Sequence, residues 1–382
     1  MAISKEKKSQ LASLMKGINK KFGDKSVSFV SDIKEDLKAK YYTSPSCEFN
    51  MMLYGGVGIG KITEFFGPES SGKTSMAIEI IKQEQDKNPD FVAGWFETEG
   101  SITVEQLEKK GIDMERLIYW DQKELSAEKG LDILRGLVES SMVNMIVVNS
   151  VAGLVPSTEI TNDLDHQNIG TVAKLMSKLF RVITGIADKN KTSLIFINQI
   201  REKVGVMFGS PETTTGGRAL AFFATTRIRF SRVKLTAADG IKEEEGIKVH
   251  CKVYKNRLAN GNPYKSCDYI AKHDTGIDYI VELPTILERE EIIAKSGAWY
   301  YYPSKDNIDT IGGVPCKFNG KASLIKALND NEELRNFFMD KISNIYNDSK
   351  AGEHLDANEI ESIEEENNDL EDDFESLQDA LN

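Results

Sequence analysis

The sequence lacks several things, and each absence narrows what the chain can be. No apolar run approaches the roughly eighteen residues that a membrane-spanning helix needs, so no spanning segment is expected. The opening MAISKEKKSQ carries charge with no apolar stretch behind it, which is not the pattern of a secretory leader. Only four cysteines occur, Cys47, Cys251, Cys267 and Cys316, scattered and without a CxxC pair. That spacing supports neither a metal centre nor a disulfide framework and suits reduced structural thiols in a cytoplasmic protein. Residues 351–382 contain no Lys or Arg but thirteen Asp and Glu. Removing that −13 from the net −12 leaves residues 1–350 at about +1. The first forty residues hold ten lysines against five acids. The body can therefore present basic faces to a polyanion, while the acid is confined to a tail.

At 382 residues the chain is long enough for one large core with smaller appendages. Segment 4–22 places Leu11, Leu14, Met15 and Ile18 at i, i+3, i+4 and i+7, one apolar stripe among lysines, closed by Gly23. Such a helix needs a surface to dock on, either its own main domain or a neighbouring subunit. From about 40 to 270, short apolar strands alternate with helical segments. KITEFF (61–66), FVAGWF (91–96), LIYW (117–120), NMIVVN (144–149) and TSLIFIN (192–198) are separated by helical MAIEIIKQEQ, VEQLEKKG, AEKGLDILRGLVESS and LMSKLFRVITGIA. Strands apolar on both faces and separated by helices predict an α/β fold with a mostly parallel central sheet covered on both sides. TTRIRFSRVKL and GIKVHCKVYKN alternate in polarity and read as antiparallel edge strands. Residues 280–345, short helices around GAWYYYP, read as a small second domain. The four expected parts are 1–35, an amino-terminal helical segment; 36–275, the core; 276–348, a small carboxy-terminal α/β domain; and 349–382, an acidic tail whose composition predicts disorder.

GPESSGKT at 67–74 matches G-x-x-x-x-G-K-[ST] between a predicted strand and a predicted helix, which is where a phosphate-binding loop must lie. Gly67, Pro68, Glu69, Ser70, Ser71, Gly72, Lys73, Thr74 and Ser75 are the candidate nucleotide-binding residues. Glycines let the backbone wrap a phosphate so that N–H groups and a helix N-terminus face negative charge. Lys73 would reach the β- and γ-phosphates of ATP, and the Thr74 hydroxyl would bind Mg2+. Hydrolysis also needs a group to orient water. Glu97 and Glu99, just past a strand end, are the candidates, with a solvated acid pair as the alternative. The apolar strand 144–149 ends in Asn149 where an aspartate would serve the metal. Its amide oxygen can still hold a metal-bound water, but it brings no charge; either the metal is held more weakly or another acid compensates.

KITEFFGPESSGKT, MIVVNSVAGLVP, LIFINQIREKVGVMFGSPETTTGG, KVYKNRLA and KSGAWY resemble, in the same order, segments of the RecA family of recombinases. The resemblance spans about residues 5–345. It implies a RecA-like P-loop NTPase core, DNA-dependent ATPase activity and assembly as a homo-oligomeric helical filament. It places Glu99 on the catalytic glutamate and Gln199 on the γ-phosphate sensor that connects nucleotide to DNA. The family's two trans-acting lysines fall on Lys255 and Arg257, which would act like an arginine finger across subunits. Phe222 falls on an interface phenylalanine, a core aromatic being the alternative. The DNA-contacting loops fall on 159–170 and 199–217. There Arg201 and Lys203 would neutralise phosphates, Gly216 and Gly217 would bring backbone N–H groups to phosphate, and Ile169 and Val204 would wedge between bases. Partners implied are single-stranded and duplex DNA, single-strand-binding proteins and loaders, with no membrane.

Departures from the family pattern are Asn149 at the metal-facing aspartate, Arg257 for a lysine, and Thr103 and Gln106 where an aspartate and a base-stacking tyrosine are expected. The loop TNDLDHQN is acidic, and His166 in it reads as an exposed loop residue. Besides the recombinase, two readings remain: a ring-forming P-loop helicase, and a diverged DNA-binding protein with weak ATPase. The tail either competes with DNA for the basic surface or serves as a solubilising or docking end.

Overall fold

The computed structural model describes residues 3–23, 26–123, 125–161, 170–202, 212–236, 239, 241–258 and 265–352. The expected tail therefore lies almost wholly outside the described residues, as do Ile169, Lys203, Val204 and His166. The chain divides into two compact units, Met1–Lys40 and Tyr41–Asn382. In the first, α1 (Lys5–Phe22) starts where Ser4 Oγ accepts from Lys7 N and ends at Gly23, whose N–H returns to Asn19 O. Leu11, Met15 and Ile18 of its stripe are half-buried, whereas Leu14 is 59% exposed. A single turn, α2 (Lys34–Leu37), follows.

The second unit opens with a ribbon of β1 (Tyr41–Tyr42) and β2 (Val57–Gly58) bracketing α3 (Cys47–Met52). The alternating part then runs β3 (Ile62–Gly67), α4 (Lys73–Lys87), β4 (Ala93–Glu97), α5 (Val104–Lys109), β5 (Leu117–Asp121), α6 (Ala127–Ser140), β6 (Met145–Asn149). It continues through α7 (Ser157–Thr161), α8 (Thr171–Asn190), β7 (Ser193–Glu202), β8 (Glu212–Thr214) and α9 (Ala219–Phe223). Strands β9 (Thr226–Val233), β10 (Gly246–Asn256), β11 (Ser266–Lys272) and β12 (Gly276–Ile277) complete one ten-stranded sheet in the order β12-β11-β10-β9-β3-β7-β6-β4-β5, with β8 on β7. From β9 to β5 the neighbours are parallel; from β9 to β12 they are antiparallel.

Strand alternation splits the core into two layers. Trp95, Val147 and Ile195 pack with Met76, Ile80 and Ile81 of α4 on one face. Phe96, Val148 and Phe196 pack with Leu131, Leu134, Phe180 and Ile183 of α6 and α8 on the other. Every residue of β3, β4 and β6 is buried, which is why β6 reads as a continuous apolar run up to Asn149. Each such large side chain stabilises by about 1.5–3 kcal/mol. The alternating segments are not edge strands: β9 pairs parallel with β3, and β10 lies between β9 and β11. Their alternation arises because one face of this part is buried and the other half-exposed, as the burial of β9 shows.

The remaining chain forms α10 (Leu283–Arg289), β13 (Ala294–Ser296), β14 (Trp299–Tyr301), β15 (Thr310–Ile311), β16 (Val314–Pro315), β17 (Lys317–Asn319), α11 (Gly320–Asp330) and α12 (Glu332–Gly352). The aromatic run that looked like an interhelical segment is β14, the middle strand of a small antiparallel sheet. This part has its own cluster around Ile286, Leu324, Leu328 and Phe338, which also takes in Met51 of α3. Arg289 Nη1 donates to both carboxylate oxygens of Glu48 at 2.9 and 2.8 Å, tying α10 to α3. All four cysteines are free thiols.

Candidate functional site

The register of the parallel strands collects the sequence-predicted residues at one end of the sheet. Gly67 is paired with Gln199, Glu97 with Asn149 and Asn149 with Ile197, so the carboxyl ends of β3, β4 and β6 fall within two residues of one another along β7. Beyond β3 the chain turns through 67–72 into α4. Gly72 has φ 93°, and a Cβ there would lie 2.9 Å from Val249 Cγ2, so the turn needs glycine. Ser71 Oγ donates to Pro68 O at 2.7 Å and fixes the loop, while Pro68, Glu69 and Ser70 are exposed. The first intrahelical bond runs from Met76 N to Gly72 O at 3.0 Å, which leaves the N–H groups of Lys73, Thr74 and Ser75 to face an outside acceptor.

Lys73 is folded beneath this loop. Its ammonium donates to Gly67 O at 3.1 Å, Pro68 O at 2.6 Å and Ser71 Oγ at 3.3 Å. Burial pushes its pKa down to about 8, against the opposing charges of Glu99 and Glu69. Thr74 Oγ1 donates to Asn149 Oδ1 at 3.2 Å. A hydroxyl beside an amide oxygen is a set of hard oxygen donors, and the adjoining N–H groups suit phosphate, so these residues fit a nucleotide with a divalent cation.

The two acids part company because β4 stops between them. Glu97, 1% exposed, is the last residue of the strand and is held from every side. Glu99 stands in the loop beyond, exposed, where it accepts from the Ser150 hydroxyl and, at 2.9 Å, from Gln199 Nε2. Thr103 and Gln106 turn on each other as the cap of α5: Gln106 N donates to Thr103 Oγ1 at 3.3 Å and Thr103 N to Gln106 Oε1 at 3.2 Å.

Of the DNA-facing candidates, Arg201 is exposed on β7 opposite Thr213 of β8. Gly216 and Gly217 have φ 81° and 77° and lie against Val151 and Ala173, where a Cβ would come within 2.6 Å of either neighbour. That packing gives both glycines a structural reason beside any ligand. Lys203, Val204 and Ile169 lie outside the described residues. Phe222 is 54% exposed on α9, with its ring edge-on to Phe223, and is not a core aromatic. Lys255 Nζ donates to Ala221 O and Phe222 O, both at 2.9 Å, and burial, then Arg257 and Arg227, lower its pKa to about 8. Arg257 is exposed just past β10.

Sequence reading missed a set of polar links around these residues. Asn198, fully buried, donates to Glu64 Oε1 and to Thr215 O, each at 2.9 Å, and accepts from the Thr215 hydroxyl. Glu64 in turn accepts from Arg227 Nε at 2.6 Å. Two signals were available: an acid inside a strand predicted to be buried must find a cation, and Asn198, like Asn149, is a polar residue closing an apolar run. Ser101 and Ser150 gave no such signal.

A glycine-rich turn leading from an inner parallel strand into a helix, with its lysine beneath it, defines the class: a P-loop NTPase fold of the α/β type. Comparison with known proteins then gives the family. A family model of the RecA N-terminal domain matches residues 9–278. Protein RecA of Mesoplasma florum is 39% identical over 297 residues, 78% of this chain and 86% of that protein. Protein RecA of Mycoplasma mycoides subsp. mycoides SC is 36% identical over 337 residues, 88% and 92% of the two chains. Protein RecA of Clostridium beijerinckii is 38% identical over 305 residues, 78% and 81%. The chain belongs to the RecA family. Among the described residues no helix is long and apolar enough to cross a membrane.

Proposed function

We propose that this protein is an ATP- and DNA-dependent recombinase that forms helical filaments on single-stranded DNA, pairs it with homologous duplex and exchanges strands with ATP hydrolysis. The observation that carries this reading is the 2.9 Å hydrogen bond from Gln199 to Glu99 beside the loop at 67–74. Gln199 lies on β7, which runs on into the segment 203–211, so the acid that would orient water is held by the strand leading to the DNA-facing loop. Lys73 binds the phosphates, Glu99 orients the attacking water and Gln199 reports the γ-phosphate. Thr74 directly, and Asn149 through water, would hold Mg2+, which when bound would supply positive charge to offset that of the phosphates.

Lys255 and Arg257 act on a neighbouring subunit's nucleotide. In support, Lys255 is in register with Arg227, and Arg227 with Glu64, three residues before Gly67. At ~3.3 Å per residue this is about 10 Å back along the sheet from the chain's own loop. The lysine is also turned toward Phe222, the interface residue of this reading. The segment 1–35 serves oligomerisation, 36–275 is the catalytic core with the DNA loops, 276–348 the small domain and 349–382 the acidic tail. The protein works in the cytoplasm with single-strand-binding and loader proteins.

ATP turnover measured with and without single-stranded DNA tests the activity, and the absence of DNA stimulation would sink it. Electron microscopy with DNA and an ATP analogue is expected to show filaments; closed hexameric rings favour the helicase reading. Lys73→Ala is expected to abolish nucleotide-dependent assembly, since it removes the charge beneath the phosphate loop. Normal filaments from that variant contradict the assignment. The neutral Asn149 favours one second reading, a DNA-binding protein with weak ATPase, in which nucleotide sets DNA affinity with little turnover.

A further inference from the structure

Asn149 is fully buried, and its amide is clamped between two neighbours of opposite demand. On one side Thr74 Oγ1 donates to Oδ1 at 3.2 Å. On the other Nδ2 donates to Glu97 Oε2 at 3.0 Å and to Ser101 Oγ at 3.1 Å. Glu97 is the direct register partner of Asn149 across β4 and β6. Donors converge on both of its oxygens: Trp95 Nε1 at 2.9 Å on Oε2, and the backbone N–H groups of Glu99 at 2.9 Å and Ser101 at 3.4 Å on Oε1. A carboxylate so surrounded only accepts, so the amide must turn its NH2 toward it and its oxygen toward Thr74.

We infer that Glu97 is a positioning residue that orients the Asn149 amide and supplies, one hydrogen bond away, the negative charge that an aspartate at 149 would carry. The inference rests on the reading that Thr74 and Asn149 face the divalent cation. The two residues together then act as a split acid: the oxygen near the metal comes from Asn149 and the charge from Glu97, held rigid by the indole and the backbone of the β4 exit. Such outer partners of ligating groups commonly set affinity by about tenfold or more. A corollary is that an aspartate at 149 is the wrong partner for Glu97, since two carboxylates would meet where a donor and an acceptor now do.

Glu97→Gln, Asn149→Asp and the double variant test this through two readouts: the thermal midpoint without nucleotide, and binding of a fluorescent ATP analogue with and without Mg2+. Glu97→Gln, nearly isosteric, is expected to weaken Mg2+-dependent binding about tenfold and leave Mg2+-free binding unchanged. Asn149→Asp alone is expected to lower the thermal midpoint and not to tighten Mg2+-dependent binding. The double variant, which moves the charge to 149 and leaves an amide at 97, is expected to recover both quantities. Additive effects in the double variant overturn the inference, as does tighter Mg2+-dependent binding by Asn149→Asp alone. Wild-type binding indifferent to Mg2+ overturns the underlying reading of Thr74 and Asn149, and the inference with it.

Discussion

Glu99 owes its availability to where β4 ends. Two residues earlier the same kind of side chain is buried and saturated with hydrogen bonds, whereas Glu99 Oε1 accepts from the rim of the site, from Ser150 and Gln199. Replacing it by Gln keeps the shape and removes the carboxylate that, in the proposed function, orients or deprotonates water. Turnover is expected to fall on the order of a hundredfold, with nucleotide binding within about twofold of the parent. Single-turnover hydrolysis alongside an equilibrium nucleotide titration checks this; an unchanged rate would remove Glu99 from the chemistry. Alternation along the strand brought both acids to notice in the sequence. Which of them is free to act was not legible there, because it depends on Trp95 and Asn149, one from the same strand and one from a strand 52 residues on.

At the scale of elements, α10 and α3 are joined by a buried acid. Glu282 Oε2 accepts from Ser46 Oγ at 3.1 Å and Glu48 N at 3.0 Å, while its Oε1 is buried with no hydrogen-bond partner among the described residues. Burial raises its pKa to about 8, outweighing the hydrogen bonds from Glu48 N and Ser46. The folded value lies above the unfolded 4.5, so the native state binds the proton more tightly. This group's stabilising contribution is full below pH 4.5 and is lost as pH rises through about 8. Glu282→Gln is neutral at every pH. Its thermal midpoint is expected to lie close to the parent's near pH 5 and to exceed it increasingly up to pH 8, by on the order of 4 kcal/mol of stability. Parallel melting curves over that range would refute the account. The parallel part of the sheet was legible from apolar runs, because strands buried on both faces have no polar side to show. The place of β9 and β10 inside the sheet was not, since a half-exposed inner strand and an edge strand share one alternating pattern.

For the whole molecule, the shared-site reading turns on Lys255. With its pKa lowered to about 8 by burial and by Arg257 and Arg227, it loses its charge well below the usual lysine range. On the shared-site reading, the ammonium that would meet a neighbour's phosphate is then available below pH 8 and progressively absent above it. DNA-dependent turnover is expected to decline as pH rises through 8, by up to about tenfold per unit, and Lys255→Arg to flatten the decline because a guanidinium keeps its proton. Nucleotide binding by the unassembled chain serves as the control and is expected not to follow the Lys255 substitution. A profile identical in both proteins would take Lys255 out of the shared site. The links Thr215–Asn198–Glu64–Arg227 run from the base of the 203–211 segment to the strand beside Lys255, so these two places are connected by hydrogen bonds through the sheet.

The sequence by itself determined the phosphate loop, the covered parallel sheet, the candidate acids and the family resemblance. These depend on local spacing: a glycine-rich turn before a helix, apolar runs of strand length, and motifs in a fixed order. Only the tertiary structure decided which acid is buried, what Asn149 touches on each side, and that Lys255 lies back along the sheet from the chain's own loop. Those facts depend on register between strands distant in sequence, and one residue's shift in register would reverse every side chain involved.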